Sequence, residues 1–256
     1  MEVISISSFQ LVSHVLTLGY AAMAASLIFF ILTIKTNLPK YRMSSVLSVV
    51  VMVSALLLLF EQQNQWVEAF TLNNGVYELT GNFSNGFRYL NWLIDVPMLL
   101  IQILFVVGVA GKAFKKYLTQ FATFGVLMIL TGYVGQFYEP GTAGENLSMW
   151  LLWGGISTVF YIFVLILITR VIKEGKANMA KSKALPLFAF ILPLFYVSWT
   201  IYPVAYVMPL LPDFELAIAS QQVLYTIADI SSKVIYGVIL QFVSSILSKE
   251  QGYEEV

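Results

Sequence analysis

The chain has 256 residues, of which 59% are hydrophobic and only 11% charged, with a mean hydropathy of +0.81. Soluble domains carry about a quarter charged residues, so this composition belongs to an integral membrane protein, with the lipid bilayer as its surroundings. Fourteen basic and fourteen acidic residues balance, which gives no reason to expect a nucleic-acid partner, and the lack of Cys with a single His removes disulfides, thiolate chemistry and a multi-histidine metal site.

A spanning helix needs about 20 mostly apolar residues. Seven stretches meet that requirement, at 9–34, 43–64, 84–110, 116–137, 147–172, 185–208 and 217–247. The sequence therefore predicts an all-α membrane protein, one seven-transmembrane-helix bundle forming a single domain over 1–256. The N-terminal MEVISISSFQ has no basic region before an apolar core, so no cleavable signal peptide is expected and the first span serves as its own signal. His14 lies at the start of that span and reads, by itself, as a packing or interfacial residue. After the second span, WVEAFTLNNGVYELTGNF carries two semi-alternating runs around Asn74-Gly75, the signature of a small β-hairpin.

The third span contains RYLNWLIDVPMLLIQ, in which Arg88, Asn91, Asp95 and Gln102 are spaced by three, four and seven residues and share one helical face. The segments GKAFKK and KEGKANMAKSKA read as polar connections after the third and fifth spans. The sixth span contains WTIYP, with Trp199 and Tyr202 on one face and Pro203 able to kink the helix beside them. The seventh contains YTIADISSKVIYGVIL, with Asp229 four residues before Lys233.

Charge placement tests the span count. Twelve of the fourteen Lys and Arg are Lys35, Lys40, Arg42, Lys112, Lys115, Lys116, Arg170, Lys173, Lys176, Lys181, Lys183 and Lys249, which fall in the first, third and fifth connections and the C-terminal tail. The other connections carry Glu61, Glu68, Glu78, Glu139, Glu145, Asp213 and Glu215 with no Lys or Arg. An odd number of spans puts all the basic segments on one side, so the positive-inside rule predicts an extracellular N-terminus and a cytoplasmic C-terminus.

Arg88 and Lys233 break this pattern by lying within spans. A lone charge at mid-membrane costs at least about 2.5–3.5 kcal/mol, which makes such residues candidates for function. An Asp229–Lys233 ion pair could simply help to pack the bundle. A buried Lys can also form a Schiff base with an aldehyde cofactor, and the fixed cation would then need carboxylate partners such as Asp229 and Asp95. Flat rings at Trp92, Trp199 and Tyr202 suit the walls of a long conjugated ligand.

Together these residues resemble the microbial rhodopsins over nearly the whole chain. The marks are seven spans with a Lys in the last, the D-x-x-x-K pair, the WxxYP of the sixth helix and the RYxxW of the third. The resemblance implies all-trans retinal bound covalently as a Schiff base on Lys233, with Trp92, Trp199, Tyr202 and Pro203 along it and Asp229 as a counterion. Asn91, Asp95 and Gln102 further resemble the triplet of the NDQ light-driven sodium pumps of marine bacteria, as do SHVLTLGY, GQFYE and YTIADISSKVIYG. That likeness implies a bacterial inner-membrane protein that exports sodium, with the proton as a secondary substrate.

Simple chemistry agrees with the triplet. Asn91 cannot accept the Schiff-base proton and Gln102 cannot return one near neutral pH, whereas Asp95, one turn from Asn91, can hold it transiently. Asn91 and Asp229 offer hard oxygens to a passing sodium ion. Further expectations come from the resemblance: Arg88 at the exit, Ser54 beside Asp95, Gln102 with Ser45, Ser48 and Gln241 on the ion-uptake side, and Glu139 near the exit. Ser45 and Gln241 depart from the family's Asn and Gly, Gln221 stands in place of an Arg, and Gly81 in place of an Asp. His14 matches a contact between protomers, which implies a homo-oligomer, a pentamer in the family. The alternatives are a light-driven proton pump, a sensory rhodopsin, and a seven-helix protein with no chromophore.

Overall fold

The computed structural model describes residues 2–253. The ends of the expected 1–256 domain, residue 1 and residues 254–256, lie outside the described residues. Among the described residues seven helices are long and apolar enough to cross a membrane: α1 (Ile6–Thr33), α2 (Pro39–Ala69), α3 (Gly86–Val107), α4 (Gly111–Gln136), α5 (Leu147–Asn178), α6 (Leu185–Tyr206) and α7 (Phe214–Glu250). The protein is a multi-pass seven-helix bundle.

Several helices run beyond the predicted spans. Apolarity marks only the stretch needed to cross hydrocarbon, while backbone hydrogen bonding continues into the polar margin. At 32 residues α5 is about 48 Å long, well over a bilayer core of about 30 Å. The segments GKAFKK and KEGKAN, expected as connections, are for that reason helical turns of α4 and α5. Their Lys residues are good helix formers whose apolar stems can stay near the bundle while the ammonium groups reach water. Conversely α3 stops three residues early, at Val107. Gly108 adopts the left-handed conformation at φ 75° and its N–H caps the helix on Leu104 O.

Helix α3 is the central one: fourteen of its 22 residues are buried, against seven of 32 in α5. Outward-facing Leu18, Ile28, Leu32, Leu57 and Val197 are exposed on α1, α2 and α6, as lipid-facing side chains must be. The predicted hairpin is present as β2 (Phe70–Asn73) and β3 (Val76–Leu79), turning on Asn74 and Gly75, both at positive φ. A third strand escaped the sequence reading. β1 (Val3–Ser5) pairs antiparallel with the free edge of β3, giving the order β1-β3-β2. Three residues are too few to show a period, and Ile4 is held there by a small aromatic core of Phe9, Trp66 and Phe70.

The bundle thus has two unlike ends. The sheet end carries β1–β3 and the α4–α5 and α6–α7 connections; the basic end carries the α1–α2, α3–α4 and α5–α6 connections and the C-terminus. Close approach of helices is set by small residues. A Cβ at Gly175 would stand 2.5 Å from Phe188 Cζ and 2.8 Å from Val107 Cγ2, both on buried side chains. Gly175→Val is therefore expected to overpack this α3–α5–α6 junction and cost about 1–3 kcal/mol, read as a lower midpoint in thermal unfolding of the detergent-solubilised protein.

Candidate functional site

Four ionisable groups meet in the middle of the bundle: Arg88 and Asp95 from α3, Asp229 and Lys233 from α7. Each is at most 1% exposed. Lys233 Nζ donates to Asp229 Oδ1 and to Asn91 Oδ1, both at 2.6 Å, and lies 3.4 Å from Asp95 Oδ2. Arg88 Nη1 donates to Asp229 Oδ2 at 2.9 Å, and its Nη2 donates to Thr226 Oγ1 at 3.0 Å. Two cations and two carboxylates sum to no net charge, which is what allows the group to exist away from water.

Asp229 is the hub. Besides the two cations, its Oδ1 accepts from Trp92 Nε1 at 3.0 Å and from the Tyr202 hydroxyl at 2.9 Å. Asp95 is held differently: Asn91 Nδ2 donates to its Oδ2 at 2.7 Å, and its Oδ1 is buried without a hydrogen-bond partner. Asn91 thus turns its carbonyl to Lys233 and its amide to Asp95 and to Ser54 Oγ, 3.0 Å away. Ser54 stands next to this carboxylate and meets it through the Asn91 amide.

The local backbone of α7 is not a plain α-helix at this point. It is α-helical over Phe214–Asp229, π-helical over Ile230–Ile235 and α-helical again over Tyr236–Glu250. The wider turn contains Lys233, an arrangement that π-bulges often provide at functional sites. The sequence alone gave no sign of it.

An apolar cavity lies alongside the charged cluster. Trp92 and Tyr202 belong to both, and Trp199, Pro203, Met128 and Gly132 continue its walls from α6 and α4. Small residues keep it open, since a Cβ at Gly132 would stand 2.9 Å from Tyr89 Cε1 and one at Gly154 2.6 Å from Tyr206 Cε1. A lysine and two carboxylates joined through Trp92 and Tyr202 to an aromatic slot fit a flat conjugated aldehyde such as retinal. Asp95 Oδ2 lies 3.4 Å from the lysine nitrogen, and the partnerless Oδ1 leaves this carboxylate incompletely satisfied.

Towards the basic end the expected uptake residues form two separate groups. Ser48 Oγ donates to Gln102 Oε1 at 2.8 Å, leaving Gln102 Nε2 without a partner. Further along, Ser45 Oγ and Asn37 Nδ2 both donate to Gln241 Oε1, at 2.5 and 2.9 Å. No hydrogen bond among the described residues joins the two groups. Towards the sheet end Glu139 accepts from Gln221 Nε2 at 3.0 Å, so the missing arginine is replaced by a neutral contact. His14 is exposed on the outer face of α1, away from the cluster.

Sequence reasoning missed Asn85, Gln222, Thr226 and Tyr225, all buried next to Arg88 or Gln221. A signal was present, since Gln222, Thr226, Asp229 and Lys233 follow at four, three and four residues and form one polar stripe on an apolar span. Asn37 had no such pattern, because it lies in a short connection.

Comparison with known proteins points in one direction. A family model described as bacteriorhodopsin-like protein matches residues 10–246. The green-light absorbing proteorhodopsin of Gamma-proteobacterium EBAC31A08 is 28% identical over 65% of this chain and 64% of its own length. Bacteriorhodopsin-II of Haloarcula marismortui is 28% identical over 60% of this chain and 57% of its own. The chain thus spans just under two thirds of the length of the curated relatives it matches first. The crystal structure of xanthorhodopsin, described as a light-driven ion pump with dual chromophore, superposes with a TM-score of 0.88 at 28% identity, covering 98% of this chain and 99% of the other. A thermophilic rhodopsin gives 0.86 at 28% identity, over 99% and 100% of the two chains.

The hub geometry has a direct consequence for stability. Asp229→Asn would leave two buried cations facing one carboxylate, and removal of one partner from a buried pair costs about 3–5 kcal/mol. Thermal unfolding of the variant should show a clear loss, whereas Glu61→Gln, on an exposed carboxylate, should change little.

Proposed function

The chain belongs to the bacteriorhodopsin-like family, and we propose that it is a light-driven outward sodium pump carrying all-trans retinal on Lys233. The observation that carries this reading is the placement of Lys233 Nζ against Asn91, Asp229 and Asp95, with amides rather than carboxylates at 91 and 102. Bound as a Schiff base on Lys233, retinal supplies the absorption of visible light and a light-driven change of shape beside Nζ. Trp92, Trp199, Tyr202 and Pro203 would hold it in the apolar slot.

The rest of the cycle falls to the chain's own residues. Asp95 takes the proton from the nitrogen on Lys233, for which its Oδ2, 3.4 Å from Nζ, is the near acceptor. Loss of that positive charge removes the electrostatic barrier to a cation at this depth. Sodium, as cargo, then meets hard oxygens at Asn91 Oδ1 and the Asp229 carboxylate, the ligand types that suit such ions. Return of the proton from Asp95 restores the barrier behind it. Arg88, paired with Asp229, closes the exit until the charge balance changes. Gln102 and Ser48, then Ser45 and Gln241, line the uptake side, and Glu139 stands at the exit.

An anion cargo is disfavoured, because the Asp95 carboxylate stands where a halide would have to sit. Proton export is a second reading, favoured by Asp95 itself, which handles a proton in every cycle and does so alone when sodium is scarce. The sheet end faces outward and the basic end faces the cytoplasm of a bacterial inner membrane, in keeping with the positive-inside rule. The whole chain acts as one retinal-binding domain, and exposed His14 on α1 is a contact in a homo-oligomer, a pentamer by resemblance.

The decisive measurement is light-driven pH change in suspensions of cells expressing the protein, in NaCl and then KCl. Sodium export predicts passive alkalinisation in NaCl that a protonophore increases; a signal abolished by the protonophore in NaCl sinks the sodium reading and leaves proton export. Two variants separate the roles. Lys233→Ala should be colourless with added retinal, while Asp95→Asn should stay coloured and lose transport by about 100-fold or more.

A further inference from the structure

The sheet end of the bundle holds a cavity whose otherwise largely apolar lining includes Glu2, Asn85, Gln136, Glu139, Glu145 and Gln221. Glu139, in the connection between α4 and α5, is 9% exposed and has no Lys, Arg or His within ion-pair distance among the described residues. Its carboxylate accepts one side-chain hydrogen bond, from Gln221 Nε2 at 3.0 Å. Burial pushes this carboxyl up to about 7.

From Gln221 an unbroken line of hydrogen bonds leads inward. Gln221 Oε1 accepts from Asn85 Nδ2 at 3.1 Å and from Gln222 Nε2 at 3.3 Å, and Gln222 Nε2 also donates to Asn85 Oδ1 at 2.9 Å. Gln222 Oε1 accepts from Arg88 Nε at 3.3 Å. Arg88 then binds Asp229, and Asp229 binds Lys233.

The chemistry of the two ends orients this line. A guanidinium only donates and an ionised carboxylate only accepts. Each amide along the way must therefore turn its carbonyl towards Arg88 and its NH2 towards Glu139, so the dipoles add. A proton on Glu139 removes the demand for a donor at the outer end, and the carboxyl then offers one of its own. The outer amide loses its fixed sense, and with it the hold on Gln222 and Arg88 weakens.

We propose that Glu139 is a positioning residue whose proton occupancy is relayed by Gln221, Asn85 and Gln222 to the Arg88–Asp229 pair, so that pH on the sheet side sets the charge balance around Lys233. The other titratable groups facing Glu139 are Tyr89 of α3, Tyr206 of α6 and Tyr225 of α7, with Glu2 and Glu145 on the same cavity. Phenols ordinarily titrate near 10 and so stay uncharged around neutrality. Neither Glu2 nor Glu145 is hydrogen-bonded to an amide of the line, so Glu139 is the carboxyl that couples inward.

The inference rests on the reading of Lys233 as the retinal site for its visible readout alone, and the test is made in the dark without transport. The full-length retinal-loaded protein is titrated from about pH 5.5 to 8.5, following the visible maximum and the infrared carboxyl C=O band. Both should step together, centred near pH 7, with the C=O band lost as pH rises. Glu139→Gln should remove both steps. Gln221→Leu should keep the infrared step and lose the visible one, and Gln222→Leu, which cuts the line at its inner end, should do the same if the first variant misfolds. A visible step that survives Glu139→Gln belongs to another carboxyl and overturns the proposal. So does a visible step that survives both Leu variants, an absent infrared step, or a wild-type visible maximum that stays flat while the infrared band titrates. Protein that stays colourless with retinal sinks the reading of Lys233 and this inference with it; coloured protein with a flat maximum sinks this inference alone.

Discussion

Everything in this bundle is arranged around one electrostatic constraint: two cations and two carboxylates are held together where water is excluded. Any one of them alone would cost several kcal/mol at that depth. As a set they are neutral, and Asp229 binds both cations while Trp92 and Tyr202 fill its remaining acceptor positions. Such a cluster contributes little net stability, because attraction mainly offsets desolvation. What it provides is a charge arrangement that a single proton can unbalance. Asp95 is the member left incompletely bound, with one oxygen unpartnered, and in the proposed cycle it is the member that takes the proton.

The surroundings follow from that constraint. Helix α3 is the most buried helix because it supplies half of the charged cluster, and its polar stripe must face inward. Lys233, within the π-helical turn of α7, reaches Asn91 of α3 as well as Asp229. The apolar slot shares Trp92 and Tyr202 with the cluster, so a chromophore in the slot and the charges beside it would act on one another directly. Small residues such as Gly132 and Gly154 leave that space, since side chains there would collide with Tyr89 and Tyr206.

Immediately beyond the cluster in either direction the buried polar groups are neutral amides and hydroxyls rather than charges. This distribution separates the proposed sodium cycle from a carboxylate relay. Gln102 and Gln241 can offer oxygens to a cation but cannot pass a proton near neutral pH. On the sheet side the line from Arg88 to Glu139 is likewise built of amides, and its single carboxyl lies at the outer end. A neutral Gln221 in contact with that carboxyl, where an arginine would form an ion pair, leaves Glu139 able to gain and lose a proton.

Much of this was legible in the sequence. Long apolar runs declare spans because unsatisfied backbone cannot sit in lipid, and a helix is the local solution. Arg88, Asn91, Asp95 and Gln102 declared one face of α3 through their spacing, and Asp229 with Lys233 declared the reactive turn of α7. The Asn74-Gly75 hairpin followed from the backbone geometry that such a pair permits. The strand β1, the π turn at Lys233, and the joining of Asn85, Gln221 and Gln222 into one line came only with the tertiary structure. The pairing of β1 with β3 and the links from Asn85 to Gln221 and Gln222 join residues about 70 to 140 positions apart, and hydrophobic periodicity carries no information about which distant side chains will meet. The sequence by itself determined which groups had to be buried, because charges in an apolar span have nowhere else to go. How Arg88 meets Asp229, how Lys233 meets Asn91 and Asp95, and which oxygen of Asp95 stays open were decided by packing of the helices, because those groups come from two separate elements, α3 and α7.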